Sequence, residues 1–375
     1  MIKRLLAAAI LFCTSFALAD VPPTGTQPAE DMVLLTMIND LGLQESATAS
    51  RDLPGWSAPK KVVAWVDSPE RLAGLRAVAP GVEIVLVENE EQAATEIGDA
   101  QVLMGFCSSE LLENAPTLHW VQVYSSGVEW CVPAMSEGNW LLTNGQKIGS
   151  PALAEHSIAL MMALVRGIDA YHANQLEGTW VRDVGMERDE FMELDGRTVL
   201  VVGLGGIGTQ VAKRAHGLGM RVIATRGSRR EGPDYVDYVG LADEVNELAQ
   251  QADVVINTAP LTNSTRGMFD ATFFAAMKPT AYFISVGRGA STVTEDLVAA
   301  LESGSIKGAG LDVTDPEPLP EGHPLWSMPR VIITPHSGGR SDKGRDRLFL
   351  LVRENLRRYV NGEPMLSVVD IERGY

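Results

Sequence analysis

The stretch Thr198–Gly208, reading Thr-Val-Leu-Val-Val-Gly-Leu-Gly-Gly-Ile-Gly, constrains this chain more than any other. A short apolar run leads into Gly203-x-Gly205-x-x-Gly208, and then into a segment with apolar residues at Ile207, Val211, Ala215 and Leu218. This is a strand, a glycine turn and a helix. Gly203 permits the tight turn, Gly205 lets the backbone approach a pyrophosphate, and Gly208 lets helix and strand pack closely. The free N–H groups and positive dipole end of the helix then face that pyrophosphate. A second apolar strand, Arg221–Thr225, follows at the distance a dinucleotide site requires.

Two sets of alternating strands and helices surround this loop. Strands are expected at Val62–Val66, Ile84–Val87, Val102–Gly105 and Trp120–Val123, the rhythm of a parallel sheet with helices on its faces. Leu142–Gly149 carries turn residues. Ser150-Pro151 reads as an N-cap and first helical residue, opening a helix to about Tyr171 that is apolar nearly all round and therefore buried. Residues 172–196 form a polar connection. A second series of six strands follows at Val199–Val202, Val222–Thr225, Val254–Thr258, Ala281–Val286, Ala309–Val313 and Val331–Thr334, and a last helix spans about Asp342–Val360. Residues 20–60 hold an amphipathic helix near Met32–Leu43 and a linker, with no readable chemistry.

Residues 1–19 read as a signal peptide: Lys3 and Arg4, an apolar core over Leu5–Ala17, and Ala17-Leu18-Ala19 as an A-x-A cleavage site before Asp20. Cys13 lacks the preceding small residue of a lipoprotein signal, and Lys3-Arg4 is no twin-arginine motif. The mature chain is thus expected outside the cytoplasm, in the periplasm, with no membrane attachment. Cys107 and Cys131 would then be the remaining cysteines. They could pair in an exported protein or remain as two buried thiols, the blander reading. No C-x-x-C and no His/Cys cluster points to a metal. A formal charge of −17 over 375 residues argues against nucleic acid or an anionic membrane as partner. Any anionic ligand must therefore be held by local positive groups.

Three polar clusters stand where strands of the second series end, the rim at which open α/β sheets bind ligands. Ser285-Val286-Gly287-Arg288-Gly289 offers a guanidinium fork to a small carboxylate. Gly310–Pro320 presents Glu317 from a proline-rich loop, and Ile333–Gly339 places His336 just after a strand. His119, His156, His172, His216 and His323 lack such a setting and read as structural.

These motifs, together with Pro-Leu-Thr at 260–262, Leu-Asp-Val at 311–313 and Thr-Pro-His at 334–336, resemble the D-isomer-specific 2-hydroxyacid dehydrogenase family over about residues 60–362. The glyoxylate/hydroxypyruvate reductase branch is the nearest. The resemblance implies two Rossmann-like or flavodoxin-like parallel-sheet domains. The cofactor domain, 150–337, would be inserted into a discontinuous substrate domain of 20–149 plus 338–375. It implies that Arg288 binds the 2-oxoacid carboxylate and that His336 gives a proton to the carbonyl oxygen as a nicotinamide delivers hydride. Glu317 would orient the imidazole and stabilise its protonated form. Ser126 and Gly127 would grip the carboxylate through backbone N–H groups. The cofactor would lie against Gly203, Gly205, Ile207, Gly208, Arg226, Ser228, Arg229, Thr258, Pro260, Val286, Gly287, Asp312, His336 and Gly339, with Asp312 holding the carboxamide. Relatives are commonly homodimers, through surfaces that include the helix after Ser150.

An NAD-preferring site ends its second strand with an acidic residue for the ribose 2′-OH. Here Arg226 stands there, followed by Gly-Ser-Arg-Arg, which suits the 2′-phosphate of NADP. The expected activity is NADPH-dependent reduction of a small 2-oxoacid. An NAD-dependent dehydrogenase of other specificity, and an exported carboxylate- or nucleotide-binding protein without turnover, remain as alternatives.

Overall fold

The computed structural model describes residues 27–182 and 191–372. The expected signal, with Lys3, Arg4, Cys13 and the Ala17–Ala19 site before Asp20, lies outside them, as does part of the 172–196 connection.

Among the described residues, seven parallel strands form the larger sheet: β7 (Thr198–Val202), β8 (Arg221–Arg226), β9 (Tyr238–Leu241), β10 (Val254–Asn257), β11 (Tyr282–Ser285), β12 (Gly308–Leu311) and β13 (Val331–Ile333). Their order, β13-β12-β11-β10-β7-β8-β9, is doubly wound, with the switch point between β7 and β10. The strand runs are continuously apolar because both faces are covered. Val199, Val201, Val254 and Ile256 pack toward Leu160, Met161, Val211 and Ala215 of the helices Ser150–Val165 and Gly206–Gly217. Leu200, Val202, Val255 and Phe283 pack oppositely, toward Leu248, Phe273, Phe274 and Leu297. The sheet has one strand more than the apolar runs predict. That seventh strand, β9, lies at the sheet edge and begins with an exposed tyrosine, so no apolar run announces it.

A second sheet has the order β3-β2-β4-β5-β6, from β2 (Lys61–Ala64), β3 (Glu83–Leu86), β4 (Val102–Met104), β5 (Trp120–Gln122) and β6 (Leu141–Thr143). Strand β6 lies partly in the stretch read as turn; it is only three residues long. One face of this sheet is covered by Val352, Leu356 and Tyr359 of the C-terminal helix Gly344–Val360. The segment after that helix is no loose tail. Its strand β14 (Pro364–Leu366) pairs antiparallel with β1 (Glu45–Ala49), and Val369 is buried against this second, five-stranded sheet.

The long helix ends sooner than its composition suggests. It stops at Val165, and a new helix, Ile168–Leu176, leaves at 75°. Gly167 makes the turn, at φ 62°. Ser150 does not cap this helix; Gly149 precedes it and no side chain closes the end. Its buried residues form one stripe, Ala154, Ser157, Leu160, Met161 and Leu164, rather than a fully buried cylinder. Cys107 and Cys131 are joined in a disulfide with Cα atoms 5.6 Å apart. The free-thiol reading is corrected. Cys107 follows β4 and Cys131 precedes the short helix Val132–Met135, so neighbouring strands bring the two together in one apolar cluster.

Candidate active site

The glycine loop lies at the switch point with each glycine doing a different job. Gly203 has φ 93°, and a Cβ there would come 2.8 Å from Ala259 Cα. A Cβ on Gly208 would come 2.2 Å from the Gly203 carbonyl, so only glycine lets helix and turn meet. A Cβ on Gly205 would meet no protein atom within 4 Å, as a backbone surface open to a ligand must. Thr258 Oγ1 donates to the Gly203 carbonyl at 2.8 Å and fixes the turn to the end of β10. Ile207, inside the same loop, is partly buried and packs against the core cluster.

Arg226 ends β8 with its Nε buried and without a hydrogen-bond partner. Burial first, then the charge of Arg229, pushes this guanidinium down, and Glu231 offsets part of that. Among the described residues neither Arg226 nor Arg229 forms an ion pair. Arg230 is engaged, with Nη2 2.7 Å from Glu244 Oε1. Ser228 is exposed in the turn between them. An unpaired, partly buried cation beside a helix N-terminus fits an anionic dinucleotide.

Arg288 follows β11. Asn257 Nδ2 donates to Ser285 Oγ at 3.1 Å and Ser291 Oγ at 2.9 Å, and Ser291 Oγ donates to the Arg288 carbonyl at 2.6 Å. Val286 is buried and bonded through its N–H to the Asn257 carbonyl. The flanking glycines serve packing: a Cβ on Gly287 would come 2.7 Å from the Ala259 carbonyl, and one on Gly289 1.8 Å from the Thr314 carbonyl. The guanidinium reaches across to the loop after β5, where its Nε donates to Glu129 Oε1 at 2.9 Å. A Cβ on Gly127 would collide with Arg288 Nη2 at 2.0 Å. In that loop, Ser126 Oγ donates to the Gly145 carbonyl at 2.9 Å, and Asn144 Nδ2 donates to the Ser126 carbonyl at 2.7 Å. The N–H groups of Ser126 and Gly127 donate to no protein acceptor among the described residues. Trp65, Tyr124 and Trp130 border the same loop; Tyr124 Oη donates to the Trp65 carbonyl at 2.6 Å, and Trp130 Nε1 to Ser125 Oγ at 3.3 Å.

His336 Nδ1 lies 2.7 Å from Glu317 Oε1. The histidine has φ 50°, and its N–H donates to the carbonyls of Asp312 at 2.8 Å and Thr334 at 3.0 Å. Glu317 sits between two cis-proline bonds, Asp315–Pro316 and Glu317–Pro318. Beneath them Asp312 is buried and held by hydrogen bonds. Its carboxylate accepts from Thr334 Oγ1 at 2.6 Å and from the N–H groups of Ser337 at 3.0 Å and Gly338 at 2.9 Å, with His156 Nε2 at 3.5 Å. Burial alone would raise this carboxyl, but bonds from His156, Thr334, Ser337 and Gly338 outweigh it and hold it at about 2. Asp312 therefore anchors the loop that presents His336. Gly339, at the far end of that loop, packs beside Leu153. Pro260 ends in a turn where Thr265 Oγ1 donates to its carbonyl at 2.6 Å.

Comparison with known proteins gives the family to which these motifs belong. The family model described as D-isomer specific 2-hydroxyacid dehydrogenase, NAD binding domain, matches residues 158–338. A glyoxylate reductase of Pyrococcus furiosus is 31% identical over 315 residues, covering 80% of this chain and 92% of the relative. This chain belongs to the D-isomer-specific 2-hydroxyacid dehydrogenase family. Glyoxylate/hydroxypyruvate reductase A of Photorhabdus laumondii subsp. laumondii is 31% identical, covering 71% of this chain and 84% of the relative. The crystal structure of an NADPH-dependent glyoxylate/hydroxypyruvate reductase from Sinorhizobium meliloti, in complex with NADP and sulfate, superposes with TM-score 0.71 at 26% identity, covering 84% of this chain and all of that one. The protein is an NAD(P)-dependent oxidoreductase of the glyoxylate reductase branch, with the two-domain Rossmann-type fold.

Family membership and sequence motifs leave some of the site unannounced. Glu129 has one local sign, an acid two residues after Gly127. His156, read as structural, bonds Thr334 Oγ1 at 2.8 Å and joins the Asp312 anchor.

Proposed function

We propose that the protein reduces a small 2-oxoacid, of glyoxylate or hydroxypyruvate type, to the D-2-hydroxyacid with NADPH. The observation that carries this reading is the His336–Glu317 pair at 2.7 Å. Glu317 occupies Nδ1, so Nε2 is the nitrogen left to protonate a carbonyl oxygen. Arg288, with the N–H groups of Ser126 and Gly127, holds the substrate carboxylate and fixes which face of the carbonyl is presented. Asp312 keeps the histidine loop in place. When bound, the reduced nicotinamide supplies the hydride. Arg226 and Arg229 take the 2′-phosphate; no carboxylate stands at the end of β8 to bond a free 2′-OH. The names of the Pyrococcus and Photorhabdus relatives, and the NADP in the Sinorhizobium structure, support the same reading.

Residues 20–149 with 338–375 would bind the acid, and 150–337 the cofactor. The packing of Gly344–Val360 on the five-stranded sheet supports this division. Homodimerisation is supported by exposed Ile168 and Leu176 on the helix after Gly167. Export to the periplasm is supported by the Cys107–Cys131 disulfide, since such bonds persist in oxidising compartments.

The test is the absorbance at 340 nm with NADPH or NADH against glyoxylate, hydroxypyruvate, 2-oxobutyrate and phenylpyruvate. Faster oxidation of NADPH with one of the two small acids is expected. Binding of NADPH without turnover of any acid would replace this reading with that of a binding protein.

A further inference from the structure

Lys147 occupies a costly position. It lies in the crossing from β6 to the helix Ser150–Val165, with φ 67°. That is the left-handed region, which a residue bearing a Cβ enters against steric resistance. The half-buried stem lies over the glycine loop: a Cβ on Gly206 would come 2.6 Å from Lys147 Cγ. Its Nζ donates to the Gly42 carbonyl, just beyond the N-terminal helix Gln27–Leu41. An ammonium has three hydrogens, so two remain.

The electrostatic setting is equally unfavourable for a lysine that only braces two segments. Burial first, then the charges of Arg229 and Arg226, pushes the ammonium pKa down. Three cations therefore crowd the start of the helix Gly206–Gly217 in a chain of net charge −17. Neither arginine has an ion-pair partner among the described residues, and Arg226 Nε is buried and unbonded. Backbone strain and charge repulsion both act against Lys147. An arriving phosphate reverses the second and so offsets the first.

We propose that Lys147 is the third cation of the adenosine 2′-phosphate site, delivered from the crossing between the sheets and steadied by the Gly42 carbonyl. Arg226 and Arg229 approach that phosphate from the end of β8, and Lys147 approaches from over Gly206. The Gly42 contact ties the site to a segment outside the 60–362 family resemblance. In the same region Gln210 Nε2 donates to the Asp40 carbonyl at 3.4 Å. The proposal rests on the NADPH reading.

The experiment uses the full chain and measures dissociation constants by fluorescence for NADPH, NADH, 2′,5′-ADP and 5′-AMP. Lys147→Met keeps the stem and removes the charge. It is expected to weaken NADPH and 2′,5′-ADP about tenfold, the scale of one charge-assisted hydrogen bond, and NADH and 5′-AMP less than about twofold. Lys147→Gly should weaken the two 2′-phosphorylated ligands, NADPH and 2′,5′-ADP, to the same extent as Lys147→Met while raising Tm, because glycine relieves the left-handed backbone. Lys147→Arg should retain most of the affinity. Equal losses for NADPH and NADH would overturn the proposal and place Lys147 on the shared pyrophosphate. Unchanged binding with a lowered Tm would overturn it in favour of a structural brace. If wild type binds 2′,5′-ADP no better than 5′-AMP, the NADPH preference itself falls, and this proposal with it. If wild type discriminates and Lys147→Met binds as wild type does, this proposal alone fails.

Discussion

Arg288 and Glu129, 159 residues apart, meet between the two sheets with Nε 2.9 Å from Oε1. The carboxylate of Glu129 thus engages the guanidinium assigned to the substrate carboxylate. Both side chains are partly exposed, so the pair is worth at most about 1 kcal/mol. A substrate can displace it at modest cost. Glu129→Gln is therefore expected to lower KM for the 2-oxoacid about two- to fivefold, with kcat less affected. Steady-state kinetics decide the matter. A raised KM would mean that Glu129 orients Arg288 for the substrate rather than competing with it.

The disulfide offers a prediction about stability. Cys107 and Cys131 close a loop with a sequence separation of 24. Closing a loop of that size restricts the unfolded chain by about 3 kcal/mol in the entropic account. Cys107→Ser with Cys131→Ser should lower the unfolding free energy by about that amount in urea titration. Unfolded, unreduced protein should yield no free thiol from this pair. Two titratable thiols at these positions would remove the bond.

Much of the fold is legible in the sequence because two-sided burial leaves a simple trace. Val199–Val202 is entirely buried, and an uninterrupted apolar run ending in Gly203 fits little but a central strand entering a tight turn. The strand β9 is illegible because an exposed tyrosine opens it at the sheet edge. The break at Gly167 is hidden by apolar residues on both sides of it. In the site, Arg288, Glu317 and His336 each stand beside a strand end with glycine or proline neighbours, and that local chemistry can be read. Glu129 and Lys147 act through contacts with distant segments, and the one local sign of Glu129, an acid two residues after Gly127, does not name its partner. The same holds for the bonds of Asp312, the residue that the family resemblance assigns to the cofactor carboxamide: Thr334, Ser337 and Gly338 reach it from another strand end.

That anchor should be visible in acid. The Asp312 carboxyl is held at about 2, against an ordinary 3.8. Between those values the unfolded chain binds the proton and the folded chain does not, so stability falls as pH falls. The contribution is complete above about pH 4, is worth about 2 kcal/mol, and disappears toward pH 2. Asp312→Asn should be less stable than wild type at pH 7, and the difference should shrink between pH 4 and pH 2. Chemical denaturation at a series of pH values measures it. A difference that does not change with pH would assign the loss to packing rather than to the charge.

The final prediction concerns proton delivery, and the unusual backbone of His336 shapes the choice of variants. Because φ is 50°, alanine at this position combines loss of the imidazole with backbone strain. Asparagine tolerates the left-handed region and separates the two effects. His336→Asn should therefore keep wild-type Tm and most of the NADPH affinity, since the glycine loop and Arg226 lie elsewhere, while kcat falls about 10²–10⁴-fold. His336→Ala should lose the same activity together with some stability. Glu317→Gln keeps a hydrogen-bond partner for Nδ1 but removes the charge that stabilises the imidazolium, so its loss of kcat should be smaller. Arg288→Ala should raise KM and lower kcat together, because the guanidinium touches the substrate carboxylate in both ground and transition states. Rapid-mixing turnover, nucleotide titration and thermal melts on the four variants separate these roles. Full activity in His336→Asn would show that the proton reaches the carbonyl oxygen from another group, and the assignment of this site would fail.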